Sequence, residues 1–408
     1  MIRAIATRDA RFPFKFGSAS GSDAIHRDPV YSYAVLLLKD DGGRTGTGLA
    51  FTLGVGTELV CQAAEFYAQH LINRDIEEIM RDFGSVQRSM ADEQHFRWLG
   101  PHKGVVHLAL AAVTNACWDL WAKSRGVPLW QLLLELTPQE LVATLDLSYV
   151  EDELTAEQAR TLLETAAITR PTRATILKAG YPGYDTSVGW FNYSDRELQD
   201  NCKRSLEAGF TAMKLKVGSA DPARDIRRAN IVRNIVGPTA RVMIDANQQW
   251  ALPQALHICG RLAEIDPYWI EEPTHPDDVL AHRTISAAIA PVKLAAGEHV
   301  PNRVVFKNYL QLNCVGFIQV DTVRVAGVSE FIAVSMLAKK FGIPVVPHVG
   351  DMGQIHQHLV LFNHIALDLP VVFLEHIPHL KNYFINSACI MNGVYSTPQD
   401  PGASSDLI

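Results

Sequence analysis

The stretch RVMIDANQQWALPQALHICGRLAEIDPYWIEE, residues 241–272, reads as one strand–helix–strand unit. RVMID (241–245) and YWIE (268–271) are short β-rich runs, and PQALHICGRLAEI between them spaces its apolar residues as a helix does. Each run closes on a carboxylate, Asp245 and Glu271. The same unit recurs outward on both sides as AMKLK (212–216), VKLAAGE (292–298), GFIQVD (316–321), PVVPH (344–348) and VVFLE (371–375), with VSEFIAVSMLAKKFG (328–342) as another helix-like spacer. The closing residues Lys216, Asp245, Glu271, Glu298, Asp321, His348 and Glu375 follow one another at intervals of 23 to 29 residues, the length of one βα unit. With Tyr181 to Trp190 as a first strand the count is eight, which closes a parallel α/β barrel over 181–375.

The remainder of the chain has a different texture. YSYAVLLLKDDGGRTGTGLAFTL (31–53) gives two strands around a turn at Asp40-Asp41-Gly42-Gly43, and helices are expected over 103–124 and 127–136. Residues 1–150 therefore read as a separate α+β unit, and the polar, helix-prone 151–180 as a connector or insertion.

The chain has 408 residues, 48% of them hydrophobic and 20% charged, which suits a globular protein and excludes a disordered one. Its net charge of −7, with basic residues scattered among acids, argues against a nucleic-acid partner. The most apolar run, His107 to Ala122, is interrupted by Asn115 and Asp119, so no membrane span is expected, and Met1 to Arg11 holds no signal-peptide core. Six widely spaced cysteines form no CxxC pair and read as reduced, mostly buried thiols. The expected location is cytoplasmic.

Barrel geometry turns this rhythm into a site, because the C-terminal ends of all strands meet at one mouth. That many buried charges must hold a metal or one another. Asp245, Glu271 and Glu298, from successive strands, form an oxygen donor set for a hard octahedral cation, with Mg²⁺ the first choice. One carboxylate alone would serve as well to cap the next helix, and strand alternation decides between Glu271 and Glu272. Lys214 and Lys216, one residue apart, face the same side, and two ammonium groups there are expected to lower each other's pKa so that one acts as a base. Asp321 and His348 are placed to form a dyad in which the carboxylate orients and charges the imidazole. Glu375 either hydrogen-bonds a developing oxyanion or closes the barrel. His356 and His358, two apart on a helix, face different ways and bind no metal.

These residues carry a resemblance. KLKVG, MIDANQ, WIEEP, GE, QVD and PH together resemble the mandelate racemase branch of the enolase superfamily. Within it GSDAIHRDPVYS (21–32), RWLGPHKGVVHLALAAVTNACWDLWAK (97–123) and YPGYDTSVGWFNYSD (181–195) are similar to L-fuconate dehydratases. The resemblance covers nearly the whole chain. It implies an enolase-like modified (β/α)8 barrel and an α+β capping domain completed by the tail, 376–408. It places the Mg²⁺ ligands at Asp245, Glu271 and Glu298, the base at Lys216 and a carboxylate-holding lysine at Lys214. The dyad falls at Asp321 and His348, and Glu375 hydrogen-bonds the intermediate. A specificity loop is implied at about Phe16 to Tyr31, with Asp23, His26 and Asp28 as contacts to sugar hydroxyls and Trp98 and Trp190 as walls for a 6-methyl group. PHVGDMGQIHQH (347–358) departs from the family's PHAGG, and Asp351 is expected to add a carboxylate at the substrate. A further departure is that the chain ends soon after PGASSD.

The implied reaction is syn or anti elimination of water from a 2,3-dihydroxy sugar acid through an ene-diolate to a 2-keto-3-deoxy acid. Lys216 takes the C2 proton and His348 assists departure of the 3-hydroxyl. L-fuconate is the first substrate, with L-galactonate and D-arabinonate as alternatives. An acid-sugar epimerase, a Schiff-base aldolase and a binding scaffold stay open as rivals. A symmetric homo-oligomer is implied.

Overall fold

A computed structural model describes residues 1–13 and 20–408. The first unit is an antiparallel sheet of β1 (Ile2–Pro13), β2 (Val30–Asp40) and β3 (Thr45–Thr52), with β2 central. The β2–β3 turn lies at 41–44, where the Asp-Asp-Gly-Gly signal placed it. Sequence reading missed β1, an edge strand whose Arg3, Arg8, Asp9 and Arg11 are exposed and blur the alternation. The long helix Gly104–Arg125 packs on this sheet. That helix is long and apolar enough to cross a membrane by length and composition alone, but 89% of its apolar window is buried inside the fold.

The sheet and helix approach so closely that a Cβ on Gly48 would lie 1.8 Å from the Ala112 carbonyl oxygen. Gly48→Ala is expected to force the two apart and lower stability by about 1–3 kcal/mol, read as a lower midpoint in chemical denaturation.

The barrel follows as β4 (Tyr181–Gly189), β5 (Ala212–Lys216), β6 (Arg241–Asp245), β7 (Trp269–Glu271), β8 (Leu294–Ala296) and β9 (Phe317–Ile318), all parallel, and β10 (Leu374–His376) pairs with β4 to close the ring. The seventh position is not a full strand: 344–348 joins β9 through one bridge, Ile318 to Val345. β7 to β9 are shorter than the sequence runs suggested. Each of the eight positions sends one side chain into a common floor: Tyr184, Ala212, Met243, Trp269, Ala295, Phe317, Val346 and Val372. This apolar layer plugs the barrel and forces the ionisable residues above it toward the mouth.

Residues 151–180 hold three helices, Ala156–Ala167, Arg170–Arg173 and Ile176–Ala179. The tail adds a hairpin, β11 (Ile390–Met391) and β12 (Val394–Tyr395), whose second strand pairs antiparallel with β4. It then crosses to the first unit, where Asp119 accepts the Ala403 amide at 2.7 Å and Lys123 pairs with Asp406 at 2.7 Å. Five cysteines are buried and Cys389 is exposed.

His358 ties the tail to the fold. Its Nδ1 accepts the Trp130 amide at 3.2 Å and its Nε2–H donates to Ser404 Oγ at 3.1 Å, so a second ring proton would meet the Trp130 N–H. Burial pushes its pKa down to about 3. Because the folded value lies below the ordinary 6.5, this contribution to stability is complete above about pH 6.5 and is lost as pH falls toward 3. His358→Gln is expected to flatten the acid limb of stability against pH by up to about 1.4 kcal/mol per pH unit between pH 6 and 4, measured by denaturant titration.

Candidate active site

Alternation by two along each strand lifts the site from the floor. From Ala212 the inward positions are Lys214 and Lys216; from Met243, Asp245; from Trp269, Glu271; from Phe317, Gln319 and Asp321; from Val346, His348. This alternation selects Glu271 over Glu272. Two walls break the rule, since Glu298 follows Ala295 by three residues and Glu375 follows Val372 by three. At the first break the chain runs so close to its neighbour that a Cβ on Gly297 would lie 2.4 Å from the Gln319 carbonyl carbon. Only glycine fits there, and the turn it permits carries Glu298 to the mouth.

Asp245, Glu271 and Glu298 each offer an oxygen within 4.8 Å of the others, and all three are buried. Burial, reinforced by Asp245, pushes Glu271 up to about 8. Three buried carboxylates this close fit a hard divalent cation. The lysines already supply part of the counter-charge. Lys214 Nζ lies 2.9 Å from Glu271, 2.8 Å from Glu375 and 3.5 Å from Asp245, and Lys216 Nζ lies 2.5 Å from Asp245. The expected mutual lowering of the lysine pKa values does not hold in this arrangement. Burial depresses each ammonium, but the carboxylates outweigh both burial and the neighbouring lysine, and both values are raised.

His348 and Asp321 come together as expected, with Nδ1 2.6 Å from Oδ2. Burial opposes protonation of the ring, yet Glu298, 3.2 Å from its Nε2, and Asp321 lift His348 to about 9. Glu375 accepts from Thr186 Oγ1 at 2.5 Å and from Lys214, which outweighs burial and draws its pKa down to about 2. Sequence reading passed over Thr186, although it lies two residues from the inward Tyr184.

A cavity opens above these groups and is lined by Lys216, Glu298, His348 and Glu375 from the barrel and by Asp23, His26 and Tyr31 from the first unit. β5 and the seventh position are three steps apart around the eight-position ring, so Lys216 and His348 stand on opposing walls. Lys214 does not line this cavity; it lies beneath, fully buried. Asp23 accepts the amides of Ile25 (2.7 Å) and His26 (2.6 Å) and pairs with the His26 ring at 2.9 Å. Of the proposed loop, 16–19 lie outside the described residues.

Three expected contacts are corrected. Asp351 lies behind the cavity wall, fully buried, where it accepts the amides of Gly353 at 3.1 Å and Ile355 at 2.5 Å at the start of the helix Gln354–Leu367 and faces His356. Its short side chain is used up by the turn and cannot reach a substrate. Trp98 is 91% exposed and Asp28 is exposed, and neither lines the cavity, whereas Trp190 does. His356 and His358 do face different ways: His356 toward Asp321, His358 toward Ser404.

Among the contacts between the first unit and the barrel, three fall at the mouth. Tyr33 Oη donates to the Gly350 carbonyl at 2.9 Å, the Phe51 amide to Val323 O at 2.9 Å, and Asn115 Nδ2 to Thr322 O at 3.1 Å. All three land beside Asp321 or His348, so the cap and the dyad are one construction.

The chain matches two family models, the mandelate racemase / muconate lactonizing enzyme N-terminal domain over residues 17–133 and the enolase C-terminal domain-like model over 197–407. It is 43% identical to human "Mitochondrial enolase superfamily member 1", over 100% of this chain and 93% of that protein. The crystal structure of that human protein superposes with a TM-score of 0.96, covering 100% of this chain and 94% of that one. L-galactonate dehydratase of Hypocrea jecorina is 36% identical over 100% of this chain and 92% of its own length. L-talarate dehydratase of Polaromonas, solved with Mg and L-glucarate, shares the fold at 23% identity and a TM-score of 0.75, covering 100% of this chain and 95% of that one. With a capping sheet, a modified barrel and relatives that include acid-sugar dehydratases, the chain belongs to the mandelate racemase / muconate lactonizing enzyme family of the enolase superfamily.

Proposed function

We propose that this protein is a Mg²⁺-dependent hydro-lyase that converts a 2,3-dihydroxy sugar acid to its 2-keto-3-deoxy form, with L-fuconate as the preferred substrate. The observation that carries the reading is the pair Lys216 and His348 on opposing walls of one cavity, above a cluster of three buried carboxylates. A proton α to a carboxylate is too weakly acidic for an unaided side-chain base. Asp245, Glu271 and Glu298 would hold Mg²⁺, which would supply the charge that stabilises an ene-diolate and would compete with the lysines for these carboxylates. Lys216 then receives the C2 proton on Nζ. His348, kept protonated by Asp321, gives its Nε2 proton to the departing 3-hydroxyl from the other side. Lys214, beneath the cavity, holds Glu375 at 2.8 Å, and Glu375, which lines it, is placed to hydrogen-bond the intermediate.

Substrate choice rests on the upper wall. Asp23 and His26 offer hydrogen-bonding groups, while Phe51, Leu53, Trp190 and Ile377 present an apolar surface that suits a C6 methyl. L-fuconate is 6-deoxy-L-galactonate, so the Hypocrea relative's substrate differs from it by one hydroxyl. An apolar wall rejects an added hydroxyl only weakly, by at most about 10²-fold. Both sugars are therefore expected to be turned over, L-fuconate faster. A panel of mono- and diacid sugars incubated with Mg²⁺ and assayed with semicarbazide tests reaction and substrate together; an epimerase would give no keto acid.

A further inference from the structure

We propose that His356, held by Asp351, is a positioning residue that fixes the Asp321 carboxylate and, through it, the ring of His348; the inference rests on the dehydratase reading above. Both residues lie in PHVGDMGQIHQH, the stretch that departs from the fuconate-dehydratase pattern.

Four side chains form an unbroken line. His348 Nδ1 lies 2.6 Å from Asp321 Oδ2, Asp321 Oδ1 lies 3.2 Å from His356 Nε2, and His356 Nδ1 lies 2.6 Å from Asp351 Oδ1. Asp321, His356 and Asp351 are fully buried. The far end is anchored on backbone, because Asp351 holds the first turn of the helix Gln354–Leu367. The Thr322 amide donates to His356 Nε2 at 2.9 Å while Nδ1–H donates to Asp351, so the ring is pinned to the turn that carries Asp321.

This matters because the terminal torsion of an aspartate is soft, and one contact does not set the carboxylate plane. Asp321 takes the Val323 amide on Oδ1 at 2.9 Å and the Gly350 amide on Oδ2 at 3.0 Å, and His356 adds a buried imidazole on the oxygen turned away from His348. His356 therefore stands between two buried carboxylates, Asp351 on Nδ1 and Asp321 3.2 Å from Nε2. Neither His356 nor Asp351 lines the cavity, so both act only through the dyad. Outer partners that orient a metal-ligating histidine typically carry about 10- to 100-fold in activity, and an effect of the same size is expected for the partner of this dyad.

The test compares the Mg²⁺-loaded wild type with His356→Leu and His356→Gln, using L-fuconate in D₂O. In His356→Leu, kcat for keto-acid formation is expected to fall about 10- to 100-fold with KM little changed and C2 exchange, the work of Lys216, retained. The amide of His356→Gln can accept from the Thr322 N–H and is expected to recover most of the loss. A second readout needs no substrate: the downfield imidazole proton resonance that disappears in His348→Asn should shift in His356→Leu and return in His356→Gln. Should His356→Leu fail to fold, Asp351→Asn supplies the same measurements. An unmoved resonance with undiminished elimination overturns the proposal. So does a parallel loss of exchange, elimination and thermal stability in both variants, which marks a packing residue. A wild type that dehydrates no sugar acid sinks the dehydratase reading instead, while the resonance still decides the positioning role.

Discussion

Replacing Lys216 by alanine is expected to lower dehydration by about 10²- to 10⁴-fold and to lower exchange of the substrate C2 hydrogen with solvent by as much. The reason is positional as well as chemical. Lys216 is the cavity-lining member of the lysine pair, 5% exposed, while Lys214 is fully enclosed by Glu271, Glu375 and Asp245 and cannot take over. The two half-reactions separate the walls. His348→Asn should keep C2 exchange and lose elimination, because the proton donor to the 3-hydroxyl is gone while the base remains. Exchange measured by proton NMR in D₂O, run beside keto-acid formation, distinguishes the two variants. Full exchange in Lys216→Ala would remove that lysine from the mechanism.

The second large effect follows from the carboxylate cluster. Lewis-acid stabilisation of a dianionic intermediate is worth several kcal/mol, and about 1.4 kcal/mol is a factor of ten, so chelation of Mg²⁺ is expected to abolish turnover by about three orders of magnitude or more. Re-addition should restore it. Asp245→Asn should lower Mg²⁺ affinity, measured by calorimetry, and turnover together, since Asp245 pairs with Lys216 and Lys214 and is one of the three carboxylates proposed to hold the cation. Folding should survive chelation, because the lysines already neutralise part of the cluster. Added Mg²⁺ should then raise Tm in a concentration-dependent way.

Most of the barrel was legible because its period is long and regular and its inward residues alternate. Lys214, Lys216, Asp245, Glu271 and His348 all follow from that alternation once a floor residue is known. Glu298 and Glu375 do not; Glu298 is displaced by one residue beyond the end of β8, and Glu375 by one residue because the chain from Val372 is irregular before β10 begins. They were found through their recurrence at unit length and through family resemblance. The rest depends on how short polar side chains are consumed locally. Asp351 looks like a substrate contact in sequence, but the helix turn beginning at Gly353 claims both its oxygens. His356, dismissed as a metal ligand, gains its place from Asp321, thirty-five residues earlier in the chain. β1 was invisible because the charged residues of this edge strand, the consecutive Arg8 and Asp9 among them, fall on both of its faces and break the alternation.

The central claim is that Lys216 and His348 remove a proton and a hydroxyl from opposite sides of one sugar acid. Its most direct test is proton NMR of the Mg²⁺-loaded enzyme with L-fuconate in D₂O, run to completion. The account predicts a single 2-keto-3-deoxy acid, with C2 of recovered substrate deuterated when turnover is stopped early. Recovery of the C2 epimer, or of unexchanged L-fuconate and L-galactonate, would contradict it.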